Sequence, residues 1–571
     1  MSFLRKHKLT VLRLLVLFIL MLAVIKYMLR DSSQRQRRVQ ELMNNKVNEF
    51  WGKGGEKHEN LEIRQLPAQP PRESESQKKA ADIERAQAKD FSTTQMRLVH
   101  LDLKGAAPKL SYMKQIFPLL AKLGANGLLI EYEDMFPYRE ELEVLRSPYA
   151  YSEEDIETIQ HLAEINRLEV VPLVQTFGHM EFVLKHDKFR HLREVEKYPN
   201  SLNPHSPETL PLVKALLAQV MDKHKKSAWL HIGADEVYHL GEGQDSKNWI
   251  NSNKGDLGKM YLNHLKEVVS FIRNQYPGLQ TLIWDDMLRK LEVETIRESG
   301  ITESTSPVLW IYAPDFSMKD TENFISKYEQ SGFKTIWFAS AFKGATGPVQ
   351  MWTPMSYHLK NHQYWLHVIE SMPRFPGIRF QGIAITGWQR YDHYSALCEL
   401  LPVGIPSLAI CLQSLVNGAY DDTARQSILQ TLGFQNIDIE KNSCEGNGAF
   451  AGFVIYRTVE QIHKQLKSKV LELLQDERVI SGWFTPYHRK HRFANPRNLE
   501  MFGSKVLKTH EEWERLIQDL RTEMNAMYFA DTVEEWMEEN VNPHMDQLRE
   551  LVKDYQEILK LNARPKAIPQ K

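Results

Sequence analysis

The sequence predicts an α/β protein: a (β/α)8 TIM barrel, preceded by a membrane anchor with a polar stem and followed by a helical region. Three observations predict it. From Met96 onward, eight apolar runs of strand length alternate with stretches of helical apolar spacing. No Gly-rich phosphate loop follows any of these runs, which disfavours a doubly wound open sheet. Beyond about Asn417 the alternation stops and long helical patterns with charged faces take over. At 571 residues the chain is too long for one ordinary core. It divides into residues 1–30 (tail and anchor), 31–95 (stem), 96–416 (barrel) and 417–571 (helical region).

The N-terminal part is justified by an unbroken apolar run, Leu14 to Ile25, with Arg5, Lys6, Lys8 and Arg13 before it and Lys26 and Arg30 after it. Val11 to Leu29 spans a bilayer if Arg13 and Lys26 extend to the two interfaces. No small-residue cleavage site follows, so an uncleaved signal anchor is expected. The expected localisation is a single-pass, type II membrane protein of the secretory pathway, Golgi-like, with a cytoplasmic-facing body as the alternative. Basic residues flank both ends of the run, so charge does not decide between them. The absence of any Asn-x-Ser/Thr sequon and the three cysteines, an odd number, favour the alternative mildly. From Asp31 to about Gln95 the chain is polar, with Pro67-Ala68-Gln69-Pro70-Pro71 and Glu73-Ser74-Glu75-Ser76, and reads as a linker. A helical pattern covers only 38–50.

The expected barrel strands are Arg97–Leu103, Gly127–Tyr132, Glu169–Gln175, Trp229–Gly233, Leu282–Trp284, Val308–Tyr312, Thr335–Ala339 and Gly382–Trp388. Leu110–Leu123, a helix opened by Ser152, Leu210–His224 and Lys259–Gln275 lie between them with helical spacing. Ser152 suits an N-cap, with Asp155 where a capping box places its acid. Phe450–Leu474, Lys505–Met527 and Thr532–Leu561 are the expected C-terminal helices, which pack on the barrel or mediate homo-oligomers.

In a barrel of this kind, residues at the C-terminal ends of the strands line the active site. Here those ends carry Asp102, Glu131, Gly178-His179, Asp235-Glu236, Trp284-Asp285-Asp286, Trp310, Tyr312, Trp337 and Trp388. Carboxylates among aromatic rings suit a sugar, whose apolar ring face stacks on Trp and whose glycosidic bond is broken by acid catalysis. The pair Asp235-Glu236 ends a short buried run, where two adjacent acids are costly to place without a role. A net charge of −1 implies no polyanion-binding surface, and no nucleic-acid partner is expected. No cofactor and no metal is expected either, because no phosphate loop or paired ligand spacing occurs.

The stretch His231-Ile232-Gly233-Ala234-Asp235-Glu236 resembles the His-x-Gly-Gly-Asp-Glu signature of glycoside hydrolase family 20, the β-N-acetylhexosaminidases. His100-Leu101-Asp102-Leu103-Lys104-Gly105, the segment from Gly124 to Tyr138, and Gln175-Thr176-Phe177-Gly178-His179-Met180-Glu181 resemble one branch of that family. The resemblance implies an exo-acting enzyme that removes terminal N-acetylgalactosamine or N-acetylglucosamine with retention, using the substrate's own 2-acetamido group as nucleophile. It implies that Glu236 is the general acid and that Asp235 orients the acetamido group. His179 would polarise the site, while Trp284, Trp310, Tyr312, Trp337 and Trp388 would wall it, with Asp102 and Lys104 near the sugar. Asp235 beside it is expected to raise the Glu236 pKa.

The pattern departs from the family in four places. Lys104 stands where an Arg is usual, Ala234 replaces the second Gly, Trp337-Phe338-Ala339-Ser340 stands where a Tyr-x-Asp is expected after the seventh strand, and Trp388-Gln389-Arg390 replaces a Trp-x-Glu. Recognition of the outer hydroxyls therefore stays open. The alternative reading is a membrane-tethered glycan-binding protein with a vestigial barrel site.

Overall fold

The computed structural model describes residues 96–253, 255–476 and 480–566; the expected anchor and stem lie outside the described residues. Eight parallel strands close into a barrel. We number them β1 (Met96–Asp102), β2 (Gly127–Glu131), β3 (Glu169–Leu173), β4 (Trp229–His231), β5 (Gln280–Trp284), β6 (Thr305–Trp310), β7 (Thr335–Lys343) and β8 (Arg379–Gly387). Each strand pairs with its sequence neighbours, and β1 pairs with β8, Met96 opposite Gly382 and Val99 opposite Ile385.

These segments become strands because they are short, apolar and buried on both faces, as a barrel covered by helices requires. One face packs inward: Leu98, Leu129, Val171, Leu282, Val308 and Ala384 fill the lumen. The other packs against the surrounding helices, among them Leu110–Lys122, Glu153–Ile165, Thr209–Lys223, Leu257–Gln275 and Leu401–Asn417. The expected capping box is present. Ser152 Oγ accepts from the Asp155 amide at 3.1 Å, and Asp155 Oδ2 accepts from the Ser152 amide at 2.8 Å.

Three expectations are corrected. The seventh strand runs four residues further, to Lys343, because Ser340 and Lys343 are buried with partners although they interrupt the apolar run. The fourth is shorter and ends at His231, because Gly233 and Ala234 turn into the left-handed region with φ of 62° and 66°. The helix expected over Thr532–Leu561 is two, Ala530–Asn540 and Asn542–Lys560; Pro543 sits in the first turn of the second, where its missing N–H costs nothing.

The long helix Pro496–Met527 and the helix after it return to the barrel's first loop. Lys109 N–H donates to the Met527 carbonyl at 2.7 Å, and Thr532 Oγ1 donates to the Gly105 carbonyl at 2.9 Å. Among the described residues no helix is long and apolar enough to cross a membrane.

Candidate active site

The acid pair sits on an unusual piece of backbone. After β4 the chain takes positive φ at Gly233, Ala234 and, at 43°, Glu236. Three such residues in four are strained for any side chain but glycine, and surrounding contacts hold them. Tyr261 Oη donates to the Ala234 carbonyl at 2.9 Å, and Asp286 Oδ2 accepts the Glu236 amide at 3.1 Å. Gly178 packs so closely on this turn that a Cβ there would lie 2.1 Å from the Asp235 carbonyl oxygen.

His179, itself at φ 51°, is brought opposite the pair. The hairpin Arg193–Val195 and Tyr198–Leu202 pins its loop, Met180 N–H to Asn200 O at 2.9 Å and Leu202 N–H to Phe177 O at 3.1 Å. The imidazole Nε2 lies 3.1 Å from Glu236 Oε2 and 3.5 Å from Asp235 Oδ2, with Nδ1 4.0 Å from Glu181 Oε2. Burial works against a charged imidazole, but Asp235, Glu236 and Glu181 outweigh it and raise the His179 pKa well above its ordinary value.

This reverses one expectation. Burial pushes Glu236 up, yet the hydrogen bond and charge of His179 hold its carboxyl below the ordinary range. Asp235 is the raised partner, lifted to about 7 by burial, against His179, with Asp286 and Glu236 adding like charge. Asp286 is lifted to about 6 by burial and by Glu236.

A cavity of about 170 Å³ opens over these groups, lined by Lys104, Glu131, His179, Asp235, Glu236, Trp284, Trp310, Tyr312, Trp388 and the segment around Arg390. Trp310 and Tyr312 stack with centroids 5.2 Å apart, and Trp284 and Trp388 stand 6.0 Å apart. Asp285 fixes Trp310: its Oδ1 accepts the Trp310 amide at 3.2 Å, while Arg289 bridges Asp285 and the Trp310 carbonyl at 2.6 Å. Buried Asp235 Oδ1, Trp284 Nε1 and Trp310 Nε1 have no hydrogen-bond partner among the described residues.

Of the expected site residues, the structure brings together Glu236, Asp235, His179, Trp284, Trp310, Tyr312, Trp388 and Lys104. Asp102 stands behind them, its Oδ1 2.9 Å from Lys104 Nζ and its Oδ2 accepting the Gln389 amide at 2.7 Å. Lys104 is held by Asp102, Glu131 and Glu133, whose charges outweigh burial and raise its pKa well above the ordinary value.

Trp337 is the correction. It lies in the barrel's lower core, edge-to-face with Trp229 at 5.7 Å and 79°, because it is the third residue of a nine-residue strand and far from its C-terminal end. The strand ends named Glu131 and Asp286 without giving them a role, and the expectation missed Arg390, Tyr391, Gly344 and Ala345. The run Trp284-Asp285-Asp286 signals Asp286. Nothing local signals Arg390.

A model of the glycosyl hydrolase family 20 catalytic domain matches residues 112–336. Hexosaminidase D of Homo sapiens is 48% identical over 464 residues, covering 81% of this chain and 95% of that protein. Hexosaminidase D of Bos taurus is 51% identical over 343 residues, covering 60% of this chain and 98% of that protein. A β-N-acetylhexosaminidase from Bacteroides fragilis aligns with a TM-score of 0.44 and 16% identity over 60% of this chain and 70% of that one. With a relative nearly half identical along almost its whole length, this chain belongs to glycosyl hydrolase family 20 and is a glycoside hydrolase.

Proposed function

We propose that this glycoside hydrolase is an exo-acting β-N-acetylhexosaminidase. It removes terminal N-acetylgalactosamine or N-acetylglucosamine with retention of configuration, the substrate's 2-acetamido oxygen serving as nucleophile. One observation carries the reading: the adjacent acids Asp235 and Glu236 share His179 at the floor of a small, aromatic-walled cavity. At about 170 Å³ the cavity is smaller than the usual drug-sized pocket and suits a single sugar ring rather than a polymer groove.

The groups divide the work. Glu236 gives a proton to the departing oxygen and later takes one from water. A neutral sugar that fills the cavity removes water from the carboxyl and pushes its pKa upward, toward the protonated form the first step needs. His179 holds a proton 3.1 Å away, along its hydrogen bond to Glu236. Asp235 faces the acetamido group and stabilises the positive charge that grows as the oxygen attacks the anomeric carbon. Trp284, Trp310 and Trp388 fix the ring and exclude water.

A panel of aryl β-glycosides tests this. Hydrolysis of the N-acetylgalactosaminide or N-acetylglucosaminide is expected, with the β-anomer of the free sugar appearing first by NMR. The same aryl group on unacetylated glucose is expected to be inert; its appreciable turnover would overturn the acetamido mechanism.

We also propose a single-pass anchor over residues 11–29, with a type II orientation. The apolar run Leu14–Ile25 between Arg13 and Lys26 supports the span, and a long folded body after a single N-terminal anchor supports the orientation. Full-length protein should resist carbonate extraction from membranes, and protein without residues 1–30 should not. Digestion of the body in sealed vesicles by outside protease would overturn the orientation.

A further inference from the structure

Where β7 and β8 end, two buried side chains stand that the chemistry above does not use. Lys343, the last residue of β7, is 2% exposed. Its Nζ donates to the Trp388 carbonyl at 2.8 Å and to Gln389 Oε1 at 3.2 Å. Both acceptors are neutral. Its stem packs on the helix Leu401–Asn417, where a Cβ on Gly404 would lie 3.0 Å from Lys343 Cδ. Burial lowers the Lys343 pKa, against the pull of Glu399. An amine set this deep against neutral oxygens is costly to keep without a role.

Glu399 acts from the other side. It lies past β8, just before that helix, and is fully buried. Its Oε2 accepts the Gly344 amide at 2.9 Å. The arrangement is reciprocal: a side chain from the end of β7 grips the backbone after β8, and one from beyond β8 grips the backbone after β7. The two backbones touch between these grips. A Cβ on Gly344 would lie 1.9 Å from the Trp388 carbonyl oxygen, the same oxygen that Lys343 holds. Glycine at φ 69° leaves that room.

Trp388 is the residue so fixed. It lines the cavity, its ring 6.0 Å from Trp284 and edge-to-face with His100 at 4.7 Å. Its neighbour Gln389 is tied as well: the amide donates to Asp102 Oδ2 at 2.7 Å, and the carbonyl accepts the Cys398 amide at 2.8 Å. An aromatic wall helps a sugar only when its face is held in the right plane. We infer that Lys343 is a positioning residue of the active site: it sets Trp388 against the substrate sugar, and with Glu399 it joins the loops after β7 and β8 into one wall. The inference rests on the sugar-cleaving reading above and goes beyond it.

The test uses the full chain, an aryl N-acetylhexosaminide, and the variants K343M, W388A and K343M/W388A. Methionine keeps the apolar stem and removes the buried amine, so the melting temperature should stay within about 4 °C of the parent. KM should rise about 5–20-fold with kcat within about threefold, because the Trp388 face contributes to binding. In the W388A background the same substitution should change KM by less than about twofold, since the residue it positions is gone. In a W310A background it should keep its full effect. G344A pushes on the same carbonyl with Lys343 intact, and should show the same KM rise and the same dependence on Trp388. A K343M loss that persists without Trp388, a fall in kcat alone, or no loss at all would overturn the inference. If K343M does not fold, G344A decides by the same criteria.

Calorimetric titration of the parent and K343M proteins with free N-acetylhexosamine separates the two proposals. Binding weakened about 5–20-fold in K343M, with no hydrolysis by the parent enzyme, would sink the proposed function and leave the inference standing. Binding and hydrolysis equal in both proteins would do the reverse, and neither binding nor hydrolysis would remove both.

Discussion

The two ends of the barrel use tryptophan for opposite purposes. At the mouth, Trp284, Trp310 and Trp388 wall a cavity among charged groups. Lower down, Trp229 and Trp337 meet edge to face and plug the lumen. Burial does not separate the two sets, since Trp284 and Trp337 are each 1% exposed. Position along the strand does. Trp284 ends β5, whereas Trp337 has six more strand residues beyond it. In a barrel the distance to the C-terminal end of the strand, more than residue type or depth, assigns a side chain to chemistry or to packing.

The contrast is broken most sharply at the mouth by Glu236→Gln. Loss of a general acid should lower kcat on the aryl N-acetylhexosaminide by about 10³–10⁴-fold, with the melting temperature nearly unchanged. A variant that retained hydrolysis would take Glu236 out of the chemistry.

At the lower end, Trp337→Ala should cost about 3–5 kcal/mol of stability in denaturant titration while KM stays within about twofold. Trp310→Ala should reverse the pattern, raising KM about tenfold at little cost in stability. Equal effects from both would dissolve the distinction.

The pH profile sharpens it further. Asp235, at about 7 in the free enzyme, must be ionised to stabilise a positive intermediate, so kcat/KM should fall as pH drops through that region. Asp286 raises Asp235 by like charge, so Asp286→Asn should let it ionise more easily. The acid limb should then move to lower pH by about half a unit to one unit. A limb that stayed put or moved up would remove Asp286 from the site's electrostatics.

The smallest effect concerns a residue on the mouth side that does not touch the cavity. Ser152→Ala should lose about 1 kcal/mol by thermal denaturation, through the capping box, and leave kcat and KM unchanged.

The barrel was legible because strands buried on both faces must be apolar runs, and eight of them stand out between helical stretches. The acid pair was legible as a costly cluster at the end of such a run. What escaped was held by partners distant in sequence. Lys343 lies four residues beyond the expected end of the seventh strand, yet it belongs to the strand, is buried and donates to the Trp388 carbonyl at 2.8 Å. The expected rise in the Glu236 pKa considered its neighbour Asp235, but the governing group is His179, 57 residues upstream. Arg390, which lines the cavity, has no local signal, because the carboxylate that holds it is on a helix 145 residues later. Pro543 did mark the break between the last two helices, and the apolar spacing on either side hid it.

Three glycines hold the site without any chemistry of their own. A methyl on Gly105 would collide with the Arg390 guanidinium, one on Gly178 with the Asp235 carbonyl, and one on Gly233 with Gln175 Oε1, 1.9 Å away. In a survey of random variants scored by lost turnover, these silent positions would rank beside the acid pair. The space a residue leaves empty can be inherited as strictly as the proton another one carries.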